Sequence, residues 1–154
     1  MVGATSAGIL LYRGDATSGR QVFIAHMGGP FWARKDAAAW SIPKGEYAPP
    51  EDPFAVARRE FEEEIGVPAP TLDYALLGTF HQASGKAVTV FAAPFDGDLE
   101  WISSNPVTME WPRGSTRMLT FPEVDRAEWV PIDQARVKLI AGQRAALDAL
   151  EALP

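Results

Sequence analysis

The sequence predicts a layered α/β domain. Three observations carry that reading: apolar runs of strand length lie on both sides of one amphipathic helix, the chain ends in helical periodicity, and glycine or proline punctuates each segment. The 154 residues are 47% hydrophobic and 22% charged, the makeup of a globular chain, expected as one domain over 1–154. The absence of cysteine excludes a disulfide framework, a thiolate metal site and a thiol nucleophile. No run of about 18 apolar residues suggests a membrane span. Residues 1–15 lack a basic leader and a long apolar segment, so the expected location is cytoplasmic. A net charge of −6 argues against an extended nucleic-acid surface.

Each element follows from local chemistry. Residues 6–12, with Ile9, Leu10 and Leu11, read as a strand closed by the turn-rich RGDATSG. Residues 21–27 form a second strand that Gly28, Gly29 and Pro30 stop. Residues 31–39 read as a loop exposing Arg34 and Lys35, and 40–42 as a short strand running into a tight loop at Pro43-Lys44-Gly45. Asp52 is a natural N-cap, Pro53 suits the first helical position, and Gly66 suits the C′ position, which sets a helix over 53–65. Phe54, Ala57, Phe61 and Ile65 form its inward stripe. Residues 72–81 and 86–95 are longer strands joined by a hairpin turn at 82–85, where Gly85 can supply a positive φ. Residues 96–114 read as irregular. Residues 128–130 form a last short strand, Pro131 opens a helical region, and Ala145, Leu147, Leu150 and Leu153 stand at near-helical spacing within 141–153.

The central helix carries an electrostatic anomaly. Glu60, Glu63 and Glu64 stand at i, i+3 and i+4 and so share one face. Like charges at that spacing cost about 0.2–0.5 kcal/mol per pair. Their position near the helix C-terminus also opposes the macrodipole, and Glu62 adds a fourth negative charge. Arg58 and Arg59 can offset part of this as plain salt bridges. A hard divalent cation such as Mg²⁺, which takes oxygen ligands, is the natural counter-charge. The competing reading is a solvated acidic face.

Residues 45–67, GEYAPPEDPFAVARREFEEEIGV, resemble the Nudix box. Gly45, Glu51, Arg59, Glu60, Phe61, Glu63, Glu64, Gly66 and Val67 match every fixed position of that pattern. The resemblance implies an α/β/α sandwich with a central mixed β-sheet. It also implies metal-dependent hydrolysis of a pyrophosphate bond in a nucleoside diphosphate linked to X, by water attack on phosphorus, with Mg²⁺ as cofactor and Mn²⁺ as a substitute. The carbonyl of Lys44 and the carboxylates of Glu60, Glu63 and Glu64 are then the metal donors. Glu60 alternatively serves as general base, Glu63 belongs to the catalytic set, and Arg59 orients the box carboxylates. Glu51 has a structural role at the loop and helix start.

Relatives of the mutator and diadenosine-polyphosphate types carry an acidic residue six positions before a Trp that begins the last strand. Glu123 stands six before Trp129, which implies an added metal ligand or catalytic base, with Asp125 as the competitor. The expected substrate binders are Arg34, Lys35, Lys44 and Tyr47; Lys86, Arg113 and Arg117 rank lower among the cations. Trp32, Trp40 and Trp111 join Tyr47 as candidate base platforms. His26 and His81 form no nucleophilic triad with Ser and Asp. The WSIPKGE entry and the Glu123–Trp129 spacing make a nucleoside triphosphate or dinucleoside polyphosphate the expected small-molecule partner, although residues 82–85 carry neither the proline of ADP-ribose enzymes nor the tyrosine of diadenosine-polyphosphate enzymes. The alternative is a non-catalytic, Nudix-like nucleotide-binding or regulatory module. The resemblance leaves a homodimer open.

Overall fold

The computed structural model describes residues 4–15 and 17–153. Residues 1–3, part of the segment read as lacking a leader, and Ala16, in the expected 13–19 turn, lie outside them. Nine strands and three α-helices follow in order among the described residues: β1 Thr5–Arg13, β2 Gln21–Met27, β3 Trp40–Ser41, β4 Lys44–Tyr47, α1 Pro53–Ile65, β5 Ala75–His81, β6 Ala87–Pro94, β7 Pro106–Glu110, β8 Met118–Pro122, β9 Val124–Pro131, α2 Ile132–Lys138 and α3 Arg144–Glu151. A 3-10 turn, Ala141–Gln143, links the last two helices.

Seven strands make one sheet, with β3-β2-β1-β6-β5 in line, β4 also paired to β1, and β9 to β2. Only β1 and β6 run parallel, in register from Thr5↔Ala87 to Tyr12↔Pro94, so the sheet is mixed. Strand β1 is a continuous apolar run because both of its faces are covered. Side-chain alternation sorts the core: Leu10, Val22, Ile24, Trp40 and Val90 pack towards α2 and α3, while Ile9, Leu11, Phe23 and Ala25 pack towards α1. The result is the expected α/β/α sandwich.

Helix α1 begins and ends on its expected signals. The Asp52 carboxylate accepts from Ala55 N at 2.9 Å, Pro53 opens the helix, and Gly66 closes it at φ 91°. Ala57, Phe61 and Ile65 are buried, together with Val56; Phe54 is half-buried, set against Tyr74 and Phe91 at ring-centroid distances of 5.3 and 5.1 Å.

Four expectations need correction. Lys44 and Gly45, expected in a tight loop, instead open β4, whose hydrogen bonds go to β1 through Gly8↔Lys44 and Thr5↔Tyr47. The 96–114 stretch contains β7, which pairs with β8 as a separate two-stranded hairpin. The last strand starts at Val124 rather than 128, since its ladder with β2 runs from Gln21↔Pro131 to Met27↔Val124, so Trp129 lies inside β9 and does not begin it. In α3 the inward residues are Ala146, Leu147 and Leu150; Ala145 is exposed because, two residues before Leu147, it lies on the opposite side of the helix.

Candidate active site

Strand β4 meets two of the box carboxylates of helix α1, Glu60 at Gly45 and Glu64 at Lys44. Pairing with β1 fixes the backbone of Lys44 and Gly45, and Ile9 N donates to the Pro43 carbonyl at 3.1 Å. The Glu60 carboxyl rests against the α-carbon of Gly45, where any Cβ would overlap it. Glu64 is 6% exposed, and its Oε1 accepts from Lys44 N at 3.3 Å. Arg59 spans Glu51 at 3.5 Å and Glu60 at 3.6 Å, while Glu51 also accepts from Ala48 N. Glu62 is exposed.

The C-terminal end of α1 is unusually well tied. A helix leaves its last four carbonyls without helical partners. Here Gly66 N donates to Glu62 O, Asn105 N to Glu63 O at 2.8 Å, Trp101 Nε1 to Glu64 O at 3.0 Å, and Ile102 N to Ile65 O at 2.8 Å. The same segment continues outward, because Glu123 N donates to Asn105 O at 3.0 Å and Gly28 N to Glu123 O at 2.9 Å. The backbone of Glu123 is therefore fixed relative to the helix that carries Glu63 and Glu64.

These carboxylates interact. Burial pushes Glu64 well above the usual carboxylate range, and the Glu123 charge adds to the rise; Lys44 opposes it. Burial also raises Glu60, followed by repulsion from Glu63, with Arg59 opposing. Glu123 contributes to both shifts, so it shares the electrostatic environment of the box although it lies about sixty residues downstream.

Two cavities meet at this cluster. One, of about 660 Å³, lies between the loop after β2 and the β7–β8 hairpin; Phe31, Trp32, Trp111 and Phe121 supply its aromatic walls, and Lys44, Glu64 and Glu123 its polar end. The other, of about 460 Å³, is lined by Ser6, Glu60, Gln82 and Lys86, and again by Lys44 and Glu123.

The remaining candidates divide. Arg113 lines the aromatic cavity and Lys86 the polar one; Arg34, Lys35 and Arg117 line neither. Lys35 turns its carbonyl inward, 2.7 Å from His26 Nε2, and its ammonium lies 3.5 Å over the Phe31 ring. Asp125 is engaged by the buried His26, at 2.8 Å from Nδ1. Trp40 is 1% exposed and donates Nε1 to Asp36, so it presents no open face to a base. Tyr47, on the same side of β4 as Gly45, packs against the core beneath α1 and lines neither cavity.

Phe31, Phe121, Val107 and Met109 were not singled out from sequence, yet they line the aromatic cavity. The signal available was the alternation in residues 106–110 and 118–122 around the turn-forming WPRGST. Gln143 was also missed. It is fully buried, accepts from Ile42 N at 2.7 Å and donates to Ser41 Oγ at 2.9 Å, which pins the strand entering the box.

The family profile described as NUDIX domain matches residues 4–150, and the chain belongs to that family. It is a pyrophosphohydrolase, an enzyme acting on phosphoanhydrides. Similar solved structures include the C. elegans Ap4A hydrolase in a binary complex, at 20% identity and TM-score 0.62, covering 97% of this chain and 96% of that one. The MutT protein from Bacillus halodurans is 16% identical with TM-score 0.59, covering 98% and 84%. The NUDIX domain of Shewanella oneidensis NrtR, complexed with ADP ribose, is 13% identical with TM-score 0.62, covering 97% and 87%. At these identities the likeness is one of fold. No curated protein sequence matches the chain.

Enzymes of this family generally use divalent metal ions and act on small nucleotides. Among the described residues, no three acidic or histidine side chains are gathered closely enough to hold an ion as they stand, and no helix is long and apolar enough to cross a membrane. The donor set nevertheless fits a hard cation. It offers carboxylate oxygens, one of them almost fully buried, whose mutual repulsion a divalent charge would reverse.

Proposed function

We propose that this chain hydrolyses a pyrophosphate bond in a nucleoside triphosphate or dinucleoside polyphosphate, in the cytoplasm, with Mg²⁺ as its ordinary metal. The observation that carries the reading is the buried Glu64, bonded to Lys44 N and coupled to Glu123 where two cavities meet. An isolated carboxylate that deep would be costly without a cation to pair it. Glu60, Glu63, Glu64, Glu123 and the Lys44 carbonyl would hold the metal, which when bound supplies charge neutralisation on the phosphates and activation of the attacking water.

The chain's own residues do the rest. Lys44 and Lys86 meet phosphate oxygens from the polar cavity, which they both line. Glu60 and Glu123 also face that cavity, and one of them takes the proton as the water oxygen bonds to phosphorus and the bridging P–O bond breaks. Arg59, held between Glu51 and Glu60, keeps the Glu60 carboxylate in place. Positioning and fixed charge then carry most of the acceleration.

A phosphate-release screen over nucleotides, with and without Mg²⁺, tests the reading directly. The expected result is turnover that depends on added metal and falls at least about 100-fold in Glu63→Gln, since even the outer partners of a metal site are worth about 10–100-fold. A flat screen would leave a nucleotide-binding module, and near-normal turnover in Glu63→Gln would remove the box from the mechanism.

A further inference from the structure

The two cavities differ in what they can grip. In the aromatic one, Phe31 stands edge-on to Trp32 at 4.8 Å and 86°, and to Trp111 at 6.4 Å and 76°. Lys35 covers one face of Phe31 without lining the cavity, so the ammonium braces that ring from outside. Val107 and Met109 extend the apolar wall along the hairpin. Apart from Lys44, Glu64 and Glu123, its polar lining residues are Ser41, Arg113 and Glu110, the last already accepting from Gly114 N. This is the chemistry of a stacking slot: large, planar and apolar, with few groups free to read an edge.

The polar cavity has no aromatic side chain among its described lining residues. It offers the hydroxyl of Ser6, the amide of Gln82 and two ammonium groups, Lys44 and Lys86, beside three carboxylates, Glu46, Glu60 and Glu123, whose excess charge a bound divalent ion would offset. Anionic oxygen is what those donors recognise, and a second base would find no ring to stack on there. Base–aromatic stacking is worth roughly five- to 150-fold in affinity per base, so a cavity without rings forgoes that gain.

We propose that the cluster of Lys44, Glu64 and Glu123 divides the substrate in two, with one nucleobase in the aromatic cleft and a phosphate tail, not a second nucleoside, in the polar cavity. The inference rests on the pyrophosphohydrolase reading and selects within it: a nucleoside triphosphate or a longer mononucleoside polyphosphate over a dinucleoside polyphosphate. It also makes the enzyme tolerant of base identity, because stacking discriminates bases weakly.

The test is binding by the full chain with Mg²⁺, measured calorimetrically with three probes: a methylene-bridged nucleoside triphosphate, a methylene-bridged dinucleoside tetraphosphate and inorganic tripolyphosphate. The first nucleoside should add about tenfold or more over tripolyphosphate, and the second less than about threefold. Trp111→Ala should remove most of the first gain and leave tripolyphosphate affinity unchanged, whereas Lys86→Ala should weaken all three probes. Phe31→Ala repeats the first arm should Trp111→Ala fold poorly. A tenfold gain from the second nucleoside, equal loss of tripolyphosphate in Trp111→Ala, or no binding of any probe would overturn the proposal. Phosphate release from the hydrolysable counterparts separates the two readings. The binding pattern without turnover sinks only the enzymatic one, and turnover without any nucleoside preference sinks only the division.

Discussion

Helix α1 and the β7–β8 hairpin are held in opposite ways around the same cleft. The helix has a capped start, an αL stop and partners for all four of its last carbonyls, and it buries Ala57, Phe61 and Ile65 against the sheet. The hairpin pairs only with itself as a sheet, and Val107, Met109 and Leu119 remain 38%, 44% and 39% exposed on the face it shares with Phe121. The contrast teaches where tolerance lies. The carboxylates sit on the part of the molecule that cannot give without unsatisfied backbone groups or cavities. The proposed recognition surface sits on a part whose side chains carry little of the fold.

Several substitutions break or sharpen that contrast. The largest effect belongs to Glu64→Gln, which should lower kcat by at least about 100-fold. It should not lower the melting temperature of the metal-free protein, because a neutral amide of the same shape can still accept from Lys44 N and removes a group whose charged form burial disfavours. Paired calorimetric scans and turnover assays read this, and a metal-free melt lowered together with activity would contradict it. Gly45→Ala comes next. Its methyl group must displace the Glu60 carboxyl, an overpacking cost of about 1–3 kcal/mol that urea unfolding should register along with reduced turnover.

Trp101→Phe probes the seam between the two regions. It keeps a ring but leaves Glu64 O without its donor, so a loss of about 0.5–1.5 kcal/mol is expected from chemical denaturation. Unchanged stability would mean that water replaces the indole. Met118→Ser should do least. Met118 is 64% exposed and lines neither cavity, so stability should stay within about 0.5 kcal/mol and nucleotide KM should not move. A large KM change there would show that the outer face of the hairpin also meets the substrate.

How far the sequence could be read follows the same division. The box helix was legible to the residue, because Asp52, Pro53 and Gly66 each have a steric or hydrogen-bonding reason to sit at a helix end. Strands β1, β2 and β6 were legible because burial on both faces makes their apolar runs continuous. Strand β4 was not, since its four residues, Lys-Gly-Glu-Tyr, carry no apolar pattern and are strand only because β1 pairs with them. The hairpin escaped for a related reason: its alternating pattern faces a cavity, not the core, and turn residues dominate the surrounding composition. Arg34 and Lys35, chosen for their place in the loop leading to the box, line neither cavity, since proximity in sequence does not fix which surface a loop residue joins. At the box end, the expected neighbours Glu60, Glu64 and Glu123 share one electrostatic environment in the fold, while Tyr47 points away from both cavities.

Gln143 has a consequence for how the molecule is made. Its amide grips Ser41 and Ile42 from about a hundred positions later in the chain. During synthesis, the strand that feeds the box is produced long before the group that locks it. Until the late segment docks, the Ile42 amide must find water or stay unpaired. The entry to the candidate groove therefore cannot be completed before residue 143 has been made, and a lesion far downstream can spoil it without touching a single acidic side chain.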